Sequence, residues 1–324
     1  MGLLVGVLLA TGGVAAWRYW PRKLAAETQE IKELPLLKYT IENLARRRDW
    51  GSAIELGEIE ATESATSAGG QGYVVQKFYF DSDGKKVSGL VHVPDACVKC
   101  PVIAQFRGYY DREKYYPGAG TRRTAVEFAK AGFISLAPDF LGYGESASPS
   151  ADVWEARFET YTTAVNLLAA IDKWPKADGR VGIWGHSNGG HIALTVLEIT
   201  GRNYPTVLWA PVSAPFPYAV LYYTDDYEDH GQTIRKDLAR FEADYDTEQF
   251  ALVNYLDKIA APILWQQGTA DPDVPIKWSR GTVGRLRGLN KEVEYAEYPG
   301  ADHNLAPNWS QAVAADIKFF ENNW

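Results

Sequence analysis

The stretch Val181–Ile199, VGIWGHSNGGHIALTVLEI, decides the fold. It opens with VGIWG, an apolar run of strand length that follows the turn pair Asp178-Gly179. It closes with GGHIALTVLEI, a helical pattern expected to run to about Thr200. Between them lies Gly185-His186-Ser187-Asn188-Gly189, a G-x-S-x-G pattern. In that pattern a strand turns sharply into a helix and projects the serine hydroxyl from the sheet edge. The serine backbone is strained there, and only glycine leaves room on either side. Five residues of this kind arise by chance; the strand before and the helix after are the context the motif requires. The competing reading is a glycine-rich helix start with a capping serine.

A serine hydroxyl is a weak nucleophile at neutral pH and needs a base, which in turn needs an orienting acid. The expected chain order is Ser, then Asp or Glu, then His. Three histidines follow Ser187: His191, His230 and His303. His191 falls one helical turn after the serine, where packing or capping is the expected role. His230 sits in the acidic run DDYEDHG. His303 lies in PGADHNL, after the strand VEYAEY and before the last helix, at a strand's C-terminal end where open α/β sheets gather their sites. It is the candidate base. Directly after the strand PILWQQ comes GTADPDVP, which makes Asp271 the candidate acid and Asp273 the runner-up. Asp302, beside His303, reads as a turn former. An oxyanion needs two backbone N–H donors. Asn188 is expected to supply one. The loop after PVIAQF, Arg107-Gly108-Tyr109-Tyr110, is expected to supply the other from Tyr109, with the Tyr109 or Tyr110 phenol contributing or merely flooring the pocket.

Outward from the motif, strands and helices alternate: PVIAQF (101–106), a helix over 121–132, FISLAP (133–138), a long helix from about Val153 to Trp174, TVLWA (206–210), PILWQQ (262–267), VEYAEY (293–298), and a last helix from about Trp309 to Asn322. This rhythm predicts an α/β fold with a mostly parallel central sheet and helices on both faces. A hairpin, Tyr73–Phe80 and Val87–Val93 around Asp83-Gly84, adds antiparallel strands at one edge. Residues 212–260, rich in Tyr, Asp and Pro, break the rhythm and read as an inserted cap. Its acids Asp225, Asp226, Glu228 and Asp229 suit a free amine or simply a solvated acidic face. Asp139–Ser146, DFLGYGES, reads as a tight turn shaping the cleft, without chemistry of its own.

Together APDFLGYGES, GIWGHSNGG, NYLDKIAAPILWQQGTADPDVP and YPGADHNL resemble the catalytic domain of the prolyl oligopeptidase family of serine peptidases, within the α/β-hydrolase fold, over roughly residues 75–324. The resemblance implies a serine hydrolase that passes through an acyl-enzyme and needs no metal or organic cofactor. Its expected substrates are short peptides or acylated amino acids. Dienelactone-hydrolase-like esterases share the scaffold, so a carboxylesterase is the alternative. A non-catalytic binding module on the same scaffold is a third reading, opposed by Ser, Asp and His all standing in order. Two features depart from the family pattern. The oxyanion loop reads RGYY rather than a His-Gly-Gly type, and the 70 or so preceding residues are too few for the β-propeller of the larger peptidases.

Apolar residues make up 46% of the 324, enough for a sizeable core, and the net charge of −8 without a basic run excludes a nucleic-acid partner. The only cysteines, Cys97 and Cys100, lack the second pair of a zinc ribbon; they read as loop thiols or one local disulfide. Residues 2–17, GLLVGVLLATGGVAAW, carry no charge and precede Arg18, Arg22 and Lys23 among Trp17, Tyr19 and Trp20. Sixteen residues are short of the ~20 that span a bilayer, and they also fit a signal segment, with Val14-Ala15-Ala16 as a cleavage site. No basic leader precedes the run, and the positive-inside rule alone would keep the domain cytoplasmic. A buried core helix is the remaining alternative. The expected organisation is therefore a membrane-associated or exported chain: residues 1–20 as anchor or signal contacting the lipid bilayer, 21–70 as a partly helical spacer, and 71–324 as the catalytic domain. Its sidedness is open.

Overall fold

In the computed structural model, which describes residues 32–63, 71–224 and 227–324, nine strands form one sheet in the order β1-β2-β3-β5-β4-β6-β7-β8-β9. The hairpin is β2 (Tyr73–Ser82) and β3 (Lys85–Pro94), paired antiparallel from Tyr73 with Pro94 to Ser82 with Lys85. Asp83 and Gly84 turn it with φ of +56° and +80°, the mirror-image turn whose twist matches the strands. From β4 (Cys100–Phe106) and β5 (Ile134–Pro138) through β6 (Ala177–His186), β7 (Thr206–Trp209), β8 (Ile263–Gly268) and β9 (Val293–Tyr298), neighbouring strands run parallel.

Alternation along the central strands feeds two cores. Val102, Ala104 and Phe106 of β4 face one, with Ile183, Leu208, Ile263 and Trp265; α3 (Val153–Ile171) and α4 (Asn188–Thr200) cover that face. Ile103, Trp184, Val207 and Leu264 face the other, covered by Phe128 of α2 (Arg122–Lys130) and by Phe319 and Phe320 of α8 (Trp309–Asn322). Burial on both faces explains why these strands read as continuous apolar runs.

The expected spacer is corrected by the structure. Pro35–Tyr39 forms a 3-10 turn, α1 spans Ile41–Arg46, and β1 (Glu55–Glu63) pairs antiparallel with β2. Leu36, Tyr39, Ile41 and Leu44 are buried in the main core, and Leu34–Trp324 forms one compact unit. The acidic face of ELGEIEATE hides a strand whose pairing, not its composition, sets its conformation.

Residues 212–260, expected as a cap, hold α5 (Tyr218–Leu221), α6 (Gln232–Glu242) and short 3-10 turns up to Lys258. They pack on α3: Phe158 stacks 4.8 Å from Phe250, and Trp154 Nε1 donates to Asp237 O at 3.2 Å. A further helix, α7 (Ile276–Gly288), was not expected. Cys97 and Cys100 close a disulfide with Cα atoms 5.8 Å apart, the second of the two sequence alternatives. The apolar run 2–17 lies outside the described residues; among the described ones, no helix is long and apolar enough to cross a membrane.

Candidate active site

Ser187 closes β6 and caps α4 with φ +55° and ψ −120°, a conformation that L-residues rarely adopt. Its N–H donates to Trp209 O at 2.9 Å, and its carbonyl accepts from Gly190, His191 and Val212. β7, the segment just after it and the first turn of α4 therefore hold the turn. The glycines are needed by space. A methyl group on Gly185 would lie 2.7 Å from Gly189 O, one on Gly190 2.4 Å from Pro211 Cβ, and one on Gly189 1.9 Å from Phe106 O. That last approach brings the start of α4 against the end of β4, where the Arg107–Tyr110 loop begins. A methyl group on Gly108 would sit 3.0 Å from Ser187 Cβ. Among the described residues the N–H groups of Asn188 and Tyr109 donate to no protein acceptor. Two unpartnered donors thus sit on the segments that flank the serine, as an oxyanion site requires.

The loop after β8 carries the acid. Asp271 Oδ1 accepts from Asp273 N at 2.8 Å and Val274 N at 2.9 Å, and Oδ2 accepts from Gln267 Nε2 at 2.8 Å. His303 Nδ1 lies 2.9 Å from the same Oδ2, with the carboxylate side chain 1% exposed and the imidazole 13%. Burial alone would raise the Asp271 pKa, but the His303 hydrogen bond and the two backbone N–H groups outweigh it and hold the group below its ordinary value. An ionised Oδ2 facing Nδ1 places the imidazole proton on Nδ1 and leaves Nε2 as the basic atom. Gln267 is itself fixed by Ser279 Oγ at 2.7 Å from α7. The runner-up Asp273 is exposed and contributes its N–H to Asp271. Asp271, Asp273 and His303 bring ligand atoms within 4.8 Å of one another, yet both Asp271 oxygens are already occupied by hydrogen bonds, which leaves a metal a poor set.

The two halves meet through His186, which the sequence reading passed over. Its Nε2 lies 3.0 Å from His303 O, and the two rings are 4.6 Å apart. His303 is thereby held against the residue preceding Ser187. Among the described residues no hydrogen bond joins the Ser187 hydroxyl to His303. Burial and the His303 imidazole push His186 down to about 4, so it stays neutral at pH 7.

His191 packs as expected: it is buried, with Nδ1 2.9 Å from Val212 O and Nε2 3.1 Å from Tyr161 Oη. Asp302 is the turn former, accepting from Asn304 N and Ala306 N at 2.9 Å. Tyr109 is 83% exposed, so its ring floors no pocket. Tyr110 packs edge-on to Tyr115 and Tyr116. Asp225 and Asp226 lie outside the described residues. Asp229 is consumed as a turn and helix cap, accepting from Gly231 N at 2.9 Å and Thr233 N at 2.8 Å.

Residues 121–324 match the profile of the prolyl oligopeptidase family. The chain is 25% identical over 255 residues to the uncharacterized peptidase YtmA of Bacillus subtilis (strain 168), covering 75% of this chain and 91% of that one. Its fold is similar to acetyl xylan esterase 1 from Thermoanaerobacterium sp. JW/SL YS485, at a TM-score of 0.63 and 17% identity over 89% of this chain and 93% of that one. It is also similar to the acylaminoacyl peptidase of Pyrococcus horikoshii, at 0.57 and 15% over 83% and 51%.

Proposed function

The chain belongs to the prolyl oligopeptidase family of serine hydrolases, and on that premise we propose that Ser187, Asp271 and His303 are its catalytic triad. The observation that carries the reading is the part-buried Asp271–His303 hydrogen bond of 2.9 Å, locked through His186 beside a serine on a strained strand-to-helix turn. His303 Nε2 takes the Ser187 proton as Oγ attacks the substrate carbonyl. The oxyanion rests on the N–H groups of Asn188 and Tyr109. His303 then protonates the leaving group, and water repeats the sequence on the acyl-enzyme. The Ser187–His303 hydrogen bond closes when substrate enters, as catalytic contacts in unliganded sites commonly do.

For substrate, the reading is a peptidase-like enzyme acting on short peptides or acylated amino acids; the family and the B. subtilis relative support its peptidase part. A carboxylesterase is the second reading. It is favoured by the superposition on acetyl xylan esterase 1, which runs over nearly the whole of both chains, and by Asp229 being consumed as a cap. Paired p-nitrophenyl esters and aminoacyl p-nitroanilides, with wild type and Ser187→Ala, test the choice. Comparable turnover of both by wild type supports the peptidase; esters alone support the esterase. The proposal also keeps residues 2–17 as a membrane-contacting segment. Its test is fractionation of the full chain against residues 32–324, and an equal soluble distribution would sink it.

A further inference from the structure

The RGYY loop opens on Arg107, and the structure gives that residue a partner set that the mechanism has not used. Arg107 is buried at 6% exposure. Its Nη1 donates to Gly108 O at 2.9 Å and its Nη2 to Asp139 O at 2.9 Å. The guanidinium lies 4.1 Å from the centroid of the Tyr143 ring and 4.8 Å from that of Tyr115. Tyr115 in turn donates to Asp139 Oδ1 at 2.6 Å, while Tyr143 donates to Tyr110 O at 2.9 Å. The carbonyls of Gly108 and Tyr110, on either side of Tyr109, are therefore held by one cluster in which Arg107 and Asp139 are buried and Tyr115 and Tyr143 half-buried. Arg107 Nε finds no partner. The side chain is placed for its two carbonyls rather than for full satisfaction of its own donors.

Gly108 C=O and Tyr109 N–H belong to one planar trans peptide and point in opposite directions. Fixing the carbonyl toward Arg107 fixes the N–H away from it. Gly108 is also the residue whose added methyl would touch Ser187 Cβ, so this peptide borders the nucleophile. We propose that Arg107 is a positioning residue that aims the Tyr109 N–H at the oxyanion, by clamping the Gly108 carbonyl and tying it to the Asp139 backbone at the end of β5. The inference rests on the reading of Tyr109 N–H as an oxyanion donor. A guanidinium suits the task because its planar fork reaches two carbonyls in fixed geometry; a lysine ammonium on a flexible stem does not.

The test uses the full 324-residue chain and p-nitrophenyl acetate, with phenylboronic acid as the tetrahedral mimic. Arg107→Met keeps the stem and removes the fork; Arg107→Lys keeps the charge beside Asp139 and remains measurable if the Met variant folds poorly. Loss of one oxyanion donor costs about 10²- to 10³-fold in kcat, and mis-aiming it should cost about 10- to 100-fold. The expected result for Arg107→Met is that loss in kcat, KM within about twofold, and weaker boronate binding by a similar factor, with Arg107→Lys in between. Unchanged kcat, or a fall in melting temperature and a rise in KM with boronate affinity intact, would overturn the proposal and leave Arg107 a packing residue. The underlying reading is checked separately by replacing the Tyr109 amide with an ester through the tyrosine α-hydroxy acid. If the ester leaves kcat intact, Tyr109 is no donor and that reading fails. If the ester slows turnover and Arg107→Met does not, only the positioning role fails.

Discussion

Substituting Gly189 by alanine tests the closest approach in the site. The added methyl would lie 1.9 Å from Phe106 O, 2.4 Å from Phe106 C and 2.6 Å from Arg107 O. All three atoms are backbone, so no side chain can rotate out of the way. Restoring the first distance to the 3.4 Å of ordinary contact parts α4 from the end of β4 by about 1.5 Å. Overpacking costs about 1–3 kcal/mol, and backbone on both sides puts this case near the upper end. At roughly 2–4 °C per kcal/mol for a domain of this size, the melting temperature should fall by about 6–12 °C. The catalytic effect should be larger in proportion. The same shift separates the Asn188 N–H from the Tyr109 N–H, and a displacement of about 1 Å in a preorganised site costs about 10²-fold. The assay is kcat/KM on p-nitrophenyl acetate beside a thermal melt. Gly281→Ala serves as the control: its methyl meets nothing within 4 Å on α7, so activity should hold and stability should rise by up to about 1 kcal/mol. If Gly189→Ala kept wild-type kcat/KM and melting temperature, the strand-to-helix contact described here would be wrong.

Asp271→Asn should lower kcat by about 10⁴-fold with little change in KM, because the amide no longer fixes the Nδ1–H tautomer of His303. The Asp271 carboxyl sits below its unfolded value of 3.8, so its contribution to stability is present above that value and is lost as pH falls through the lower folded one; wild-type and Asn melts should converge there. Burial, with the Arg122 cation, pushes His92 from 6.5 down to about 4, and neither ring nitrogen has a partner. Its neutral form is fully favoured above 6.5, and stability falls as pH drops from 6.5 through 4, by up to about 3 kcal/mol from this group. His92→Leu should flatten that slope in urea titrations, and an unchanged slope would count against the assignment. Truncation to residues 71–324 removes the buried Leu36, Tyr39, Ile41 and Leu44. At about 1.5–3 kcal/mol each, these match the whole net stability of a typical domain. The fragment should be unfolded or aggregated by circular dichroism and sedimentation, while residues 34–324 should fold; a stable 71–324 fragment would refute the role given to that segment.

What could be read from the sequence was what local rules determine. The run VGIWGHSNGG spells its strand, turn and helix because steric need selects the residues, and the hairpin follows from the two residues able to take positive φ at its turn. His303 and Asp271 are legible from their place directly after strands, which topology alone brings together. The missed features depend on partners distant in sequence. β1 is charged along much of its length and is a strand only because β2 offers it an edge. The helix α7 contains Gly281, Gly284 and Gly288, which weaken its local signal, and Trp278, Val283 and Leu286 hold it by burial. His186 looked like a spacer inside the motif, and Gln267 like the end of a strand. Only the meeting of β6, β8 and the His303 loop gives them work.

The most direct test of the account is where a fluorophosphonate attaches. Intact mass and peptide mapping of the full chain should show one adduct, on the peptide carrying Ser187. Labelling should be absent in Ser187→Ala and slowed by several orders of magnitude in His303→Ala. An adduct on another residue, or undiminished labelling of Ser187→Ala, would contradict the assignment of nucleophile and base together.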